Sequence, residues 1–251
     1  MDWSSVAGVL LALAGIIVGQ GLEGGKITSL LQPAAFAIVV IGTFGTFGAV
    51  MLQTRVPTLR RGLTMLRWVF QPPPDNRAQL ARDINNWSTL ARRDGLLALE
   101  RPMLGAKDKF IAKGLRMIVD GINPDKMRQM LDMEITAFET AERQAVRIWE
   151  SAAGYSPTIG ILGAVLGLIH VMENLTEPSR LGSGIAVAFV STIYGVGLAN
   201  LFFYPIANKL KTIVTRQVYL QELTAAVMYD IATGDFTRVI DERIATLMRE
   251  P

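Results

Sequence analysis

Residues 152–172 read AAGYSPTIGILGAVLGLIHVM. The 21 positions hold no Asp, Glu, Lys or Arg, and their one histidine, His170, stands near the end. A spanning helix takes about 20 mostly apolar residues, against 10–14 for a buried core helix, so this stretch reads as a membrane span. Upstream, Asn123-Pro124 is a good helix start, because asparagine caps and proline suits the first turn. No breaker follows before Tyr155, so the helix begun there enters the span directly. At 1.5 Å per residue it runs roughly 45 Å before reaching the membrane core.

Three further segments pass the same test: Trp3 to about Leu22, about Ser29 to Leu52, and about Leu181 to Ala207, none with a charge. Met1-Asp2-Trp3 lacks the basic leader of a signal peptide, so the first segment is read as a retained span. Lys and Arg placement sets orientation. Of 25 basic residues, 17 lie between Gln53 and Glu150 and 6 between Asn208 and Pro251; the short turns hold only Lys26 and Arg180. Those nearest the spans, Arg55, Arg60, Arg61, Arg147, Lys209 and Lys211, agree with this asymmetry. The expectation is an all-α, polytopic membrane protein with four transmembrane helices, both termini cytoplasmic and a helical cytoplasmic domain. The parts are 1–52, a first helix pair; 53–150, the cytoplasmic domain; 151–207, a second helix pair; and 208–251, a helical tail.

Within the cytoplasmic part, Pro72-Pro73-Pro74 breaks any helix leaving the second span. Leu80, Ile84, Trp87 and Leu90 recur at helical spacing between about Arg77 and Leu90. Phe110, Ile111, Leu115 and Ile118 do so between Asp108 and Val119. In the tail, Thr233-Gly234-Asp235 precedes a helix from about Phe236. No strand-like alternation of useful length occurs.

Composition narrows the chemistry. Half of the chain is apolar and 19% is charged, below the roughly 25% of soluble domains. With no cysteine, disulfides, thiol catalysis and cysteine metal sites are excluded; one histidine is too few for a histidine metal centre, and a net charge of +3 leaves no strong nucleic-acid footprint. No catalytic residue, metal or cofactor is expected. Three of the apolar segments contain no ionisable Asp, Glu, Lys, Arg or His, and charges within spans mark ion pathways. If ions move here, the titrating group comes from a partner chain.

Gly160, Gly163, Ala164 and Gly167 are small residues at close helical spacing, as are Gly42, Gly45 and Gly48 with Thr43 and Thr46. Both sets read as helix packing. Ser191, Thr192, Gly195, Ala199 and Asn200 either bridge helices or line a wet cavity. Pro157 and Pro205 are static kinks or hinges beside an ion path. His170, with Glu173 and Glu177 near it, reads as an interface histidine rather than a proton relay, which needs a continuous chain of partners. Arg92, Arg93, Asp94, Glu100 and Arg101 surround Leu96, Leu97 and Leu99; alone, such a charge run reads as a solvated face, with a docking surface as the alternative.

Gly154 through Met172 resembles the third span of the flagellar stator A subunits, the MotA, PomA and MotC group. Leu181 through Gly195, closed by Ala199-Asn200 and Pro205 through Leu210, resembles their fourth. Leu22-Glu23-Gly24-Gly25 and the spacing of Arg92 and Glu100 fit the same pattern, which covers nearly the whole chain. The resemblance implies five copies around a dimer of B subunits. The B subunit spans once, binds peptidoglycan and supplies the titrating aspartate. Ion flow then turns the ring against the rotor, with no covalent chemistry, so the protein is not read as an enzyme.

The resemblance also assigns residues. Pro157 and Pro205 match prolines that influence torque coupling, and Thr192 matches a pore-facing threonine, beside Ser191. Arg92 and Glu100 match the charged pair that meets the rotor switch protein FliG, which raises docking above the solvated face; Arg93 adjoins Arg92 and competes for the assignment. Sodium-driven relatives have threonine where this chain has Ala164, and a hydroxyl there replaces part of a hydration shell. Alanine offers none, so protons are expected. The competing readings are an ExbB- or TolQ-like energy-transducing subunit, against which four spans and both prolines argue, and a passive membrane scaffold.

Overall fold

Asn123 opens the longest helix as its sequence suggests: its side-chain Oδ1 accepts from the backbone N–H of Asp125 at 3.0 Å and of Lys126 at 3.2 Å. Pro124 follows in the first turn, where its missing N–H costs nothing. The computed structural model describes residues 3–22, 24, 27–43, 55–235, 240 and 242–245. Its helices are α1 (Trp3–Leu22), α2 (Pro33–Phe36, continued by a π-helical turn Ala37–Ile41), α3 (Val56–Phe70), α4 (Arg77–Asp94) and α5 (Glu100–Gly105). Then come α6 (Lys109–Val119), α7 (Pro124–Glu173), α8 (Pro178–Leu198) and α9 (Tyr204–Thr233). Among the described residues there is no strand, and the chain is all-α.

Helix α7 is unbroken over 50 residues, with Pro157 inside it. Helices α8 and α9 join through a π-helical turn, Ala199–Phe203, in which the Tyr204 N–H bonds to the Ala199 carbonyl. Pro124–Glu173 and Pro178–Thr233 each carry a stretch long and apolar enough to cross a membrane, and Ala7–Leu22 is a shorter apolar helix.

The second apolar segment starts differently from the expectation. Ile27–Leu30 forms a 3-10 turn and the helix begins only at Pro33. Gln32 is extended, φ −111° and ψ 104°, because the proline ring crowds the α region of the residue before it. Gly45, Gly48, Thr46 and the end of that segment lie outside the described residues, as does the start of the tail helix at Phe236.

The chain forms two compact units, and α7 and α9 each contribute to both. The first consists of the described residues up to Pro72 with Glu142–Thr212. Here α2 and its π turn pack on α8, where the Tyr194 hydroxyl donates to the Leu30 carbonyl and the Tyr194 ring meets Phe36 edge-on. Helix α3 packs on α7 through Gly62: a Cβ there would lie 2.8 Å from Ile148 Cδ1 and 2.9 Å from the Ala145 carbonyl oxygen. The close approach lets Trp149 Nε1 donate to the Gly62 carbonyl at 3.0 Å. Arg61 donates to both carboxylate oxygens of Glu142, at 2.8 and 3.0 Å, and its guanidinium lies 4.6 Å from the Trp68 ring centre. Lys211 pairs with Glu150.

The second unit holds Pro73–Ala141 and the described residues from Ile213 onward. Leu80, Ile84, Trp87 and Ala91 of α4, with Phe110, Leu115 and Ile118 of α6, face a core with Met127, Leu131, Val214, Met228 and Ile231. Burying each large side chain contributes about 1.5–3 kcal/mol relative to exposure. Gly114 of α6 faces Met228 so closely that a Cβ would fall 2.2 Å from its sulfur. Helix α6 ends at Gly121, φ 69°, with Ile122 N–H bonding to the Met117 carbonyl at 3.0 Å, the left-handed stop that glycine permits.

Candidate functional site

Gly160, Gly163, Gly167, Ser191 and Gly195, among the residues singled out above, lie along one seam, where α7 and α8 run antiparallel. On α7 it is built from Ser156, Gly160, Gly163 and Gly167, and on α8 from Gly195, Ser191, Ala188 and Gly184. The steps are four, three and four residues on each helix, so one stripe faces the other. A Cβ on Gly160 would lie 2.8 Å from the Ser191 carbonyl oxygen and 3.1 Å from Gly195 Cα. On Gly167 it would lie 2.7 Å from Ala188 N, and on Gly195 it would lie 2.6 Å from the Ser156 carbonyl oxygen. Backbone meets backbone at Gly160, Gly167 and Gly195, while at Gly163 the nearest neighbour is the Ser191 side chain. The packing reading of Gly160, Gly163 and Gly167 therefore holds, and Gly42, the residue after the π turn that continues α2, joins it, its would-be Cβ 2.9 Å from Ile159.

Two buried hydroxyls lie in the seam, and they differ. Ser156 Oγ donates to the Gly195 carbonyl at 3.0 Å. Ser191 is fully buried, yet among the described residues its Oγ has no hydrogen-bond partner; it faces Gly163, where a Cβ would lie 2.7 Å from it. Ser156 was not anticipated as a contact. The signal was its place four residues before Gly160, in register with the glycine stripe.

Pro157, Ala164 and Thr192 are half-buried, and each directly follows a seam residue. A step of one residue turns a helix by about 100°, and in an antiparallel pair the turn carries both helices' next residues to the same side. Ala164 and Thr192 therefore share one side of the seam. Pro157, seven residues before Ala164, shares it too. Thr192 Oγ1 donates back to the Ala188 carbonyl at 3.3 Å. Pro205 is not brought to this group: it is exposed, just beyond the π turn. His170 is also exposed, with Asn174 donating to its backbone carbonyl at 2.8 Å.

The charged cluster belongs to the second unit. Arg93 and Asp94 pair with each other at 2.8 Å. The hydrogen bond from Arg93 holds the Asp94 carboxyl below its ordinary range and raises Arg93 in turn. Arg92 is exposed and, among the described residues, has no ion-pair partner, which separates it from its neighbour. Gly95, φ 85°, ends α4, and a 3-10 turn, Leu96–Leu99, leads into α5. Glu100 stands exposed in the first turn of α5, where the helix dipole favours a carboxylate. Arg92 and Glu100 are not paired with one another. Among the described residues no cluster of His, Asp and Glu suits a metal ion.

A Bacillus subtilis relative named Motility protein A is 32% identical over 97% of this chain and 90% of its own length. The chain belongs to the MotA/TolQ/ExbB proton channel family. Residues 104–222 match the model of that family. The structure is similar to that of C. jejuni MotAB, with a TM-score of 0.91 and 27% identity, covering 100% of this chain and 98% of that one. It is also similar to the flagellar MotAB stator complex from Bacillus subtilis, with a TM-score of 0.87 and 32% identity over 100% and 96%. A member of this proton channel family is a membrane protein. The seam of α7 and α8 lies largely inside the stretch matched to the family.

Proposed function

We propose that the chain is the A-type stator subunit of a bacterial flagellar motor, which joins a B-type subunit to form a proton path and turns ion flow into torque. The observation that carries the reading is a likeness to the MotAB structures over the full chain, combined with an α7–α8 pair that has no carboxylate of its own between Ala152 and Met172 or between Leu181 and Ala207. His170, exposed near the end of α7, is the one Asp, Glu, Lys, Arg or His in these stretches, so a carboxylate within the path has to come from elsewhere. A single-span, peptidoglycan-binding B subunit with an aspartate in its span supplies it. The side of the seam bearing Pro157, Ala164 and Thr192 is the ion path, with Ser191 behind it and Pro205 coupling at the π turn.

The same reading gives four spans in the bacterial inner membrane with both termini cytoplasmic, in parts 1–52, 53–150, 151–207 and 208–251, and a ring of five copies. Exposed apolar side chains support it: Leu10, Leu11, Leu13, Ile16, Ile17 and Val18 of α1 cover that helix, and Ile161, Leu162, Val165 and Phe189 line α7 and α8. Such surface suits lipid or a neighbouring subunit. Arg92 and Glu100 meet the rotor protein FliG. Apart from the proton taken up and released by the B subunit's aspartate, nothing in this cycle makes or breaks a covalent bond.

The test is swimming speed in a strain that relies on this stator, with and without sodium and with and without a protonophore at fixed internal pH. Collapse with the protonophore and indifference to sodium are expected. Sodium dependence would sink the Ala164 argument and leave the stator. Normal swimming with lost iron-complex uptake would move the chain to the ExbB side of the family.

A further inference from the structure

Unit two has an unusual surface next to Glu100. Among its described residues, Leu97 and Leu104 are the most exposed large apolar side chains, at 74% and 77%. Single exposed leucines are ordinary. These two are not isolated. The 3-10 turn Leu96–Leu99 runs straight into α5, so Leu97, Glu100, Arg101 and Leu104, three and four residues apart, form one solvent-facing stripe. All four are exposed, while Leu99 on the opposite side is fully buried and anchors the turn.

The charges around the stripe say what fits it. Arg92, Arg101, Lys107 and Lys109 are exposed and, among the described residues, lack ion-pair partners. Two nearby carboxylates are already engaged: Asp94 by Arg93, and Asp108 by the backbone N–H of Phe110 at 2.8 Å. Glu100 is the one left unpaired between Arg92 and Lys109. A second copy of this face would bring like charge against it. An acidic partner with an apolar pocket complements it, since interface cores are apolar and their rims polar.

We propose that Leu97 and Leu104 are apolar anchors of the rotor contact, inserting into an apolar pocket with an acidic rim on the rotor protein, with Arg92 and Glu100 at the edge setting register. The inference rests on the stator reading. It adds what the charged pair alone lacks, because rim charges steer encounter while buried apolar anchors hold the complex.

The chain has no cysteine, so a single introduced one is the only thiol. Leu97→Cys and Leu104→Cys, treated with a thiol-to-thiol cross-linker in motile cells whose tagged rotor protein carries one cysteine at its acidic face, should give a product containing both proteins. The double variant Leu97→Ser, Leu104→Ser should keep its level in the membrane and its unfolding midpoint, while stator occupancy at the motor falls about tenfold for each leucine. Normal swimming of that double variant, with Arg92→Glu stopping rotation, would overturn the leucine anchors and spare the rotor contact. Normal swimming of both the double variant and Arg92→Glu would overturn both. Cross-links only between copies of this chain would assign the stripe to self-association and overturn the inference.

Discussion

Ser156 Oγ reaches the Gly195 carbonyl at 3.0 Å across the α7–α8 seam, one residue before a proline that has no N–H to hold its own helix together. The bond ties the two helices where α7 is weakest. Ser156→Ala should destabilise the complex by about 0.5–1.5 kcal/mol, the net worth of one such bond. Thermal unfolding in detergent checks it; an unchanged midpoint would remove the tie.

Gly160→Ala should be worse. Its Cβ would meet only backbone, at 2.8 Å and 3.1 Å, and backbone cannot rotate away. The helices must part, at a cost of about 1–3 kcal/mol. A variant as stable as the parent would show that the seam is not so tight.

Gly163→Ala differs in kind, because the nearest obstacle is the Ser191 side chain at 2.7 Å. Ser191→Gly should therefore rescue it, at least in part, and the two should be strongly non-additive. Two effects that simply add would sink the pairing.

Arg61 and Glu142 offer a test of the α3 brace. Glu142 is nearly buried and receives both hydrogen bonds from a half-exposed arginine. Arg61→Ala leaves that carboxylate buried without its partner and should cost about 1.5–3 kcal/mol, the worth of a hydrogen bond to a charge, while Arg61→Ala with Glu142→Leu should recover much of it. Measured unfolding free energies of the two variants decide; no recovery in the double variant argues against the account.

Asp75 predicts a pH dependence. The Arg77 side chain hydrogen-bonds its carboxyl, and despite opposing desolvation its pKa lies well below the ordinary carboxylate value, helped by the Arg77 backbone N–H and the Arg216 cation. A lowered folded pKa gives stability that is present above about pH 4 and lost as pH falls further. Asp75→Asn should thus lower the unfolding midpoint at pH 7, and the gap to the parent should narrow as the solution is acidified below pH 4. The side chain is partly exposed, so the effect is small. A gap that widens in acid would contradict the sign.

Much of the fold was legible because its signals are local. Trp3–Leu22 is one uncharged run, and Asn123-Pro124 is a cap and a first turn in adjacent residues. The seam glycines were legible as a stripe, but their partners were not, since spacing on one helix does not name the other. Helix α3 went unrecognised as an element: Arg60, Arg61 and Arg67 interrupt its apolar residues, and what fixes it is the contact of Arg61 with Glu142, 81 positions away. The start of α2 was misplaced by four residues because hydropathy runs smoothly through Gln32, while the backbone obeys Pro33.

The π turn at Ala199–Phe203 sets a phase. Its wider winding places an extra residue in one turn, so everything downstream is rotated relative to α8. Ala207, Leu210 and Val214, all fully buried, point inward only in that phase. Removing one residue there would relax the turn to an ordinary one and swing those side chains by about 100° toward the outside. The number of residues between Pro178 and Ala207 is thus as much a structural parameter as their identities, and substitutions should be tolerated there far more readily than single deletions.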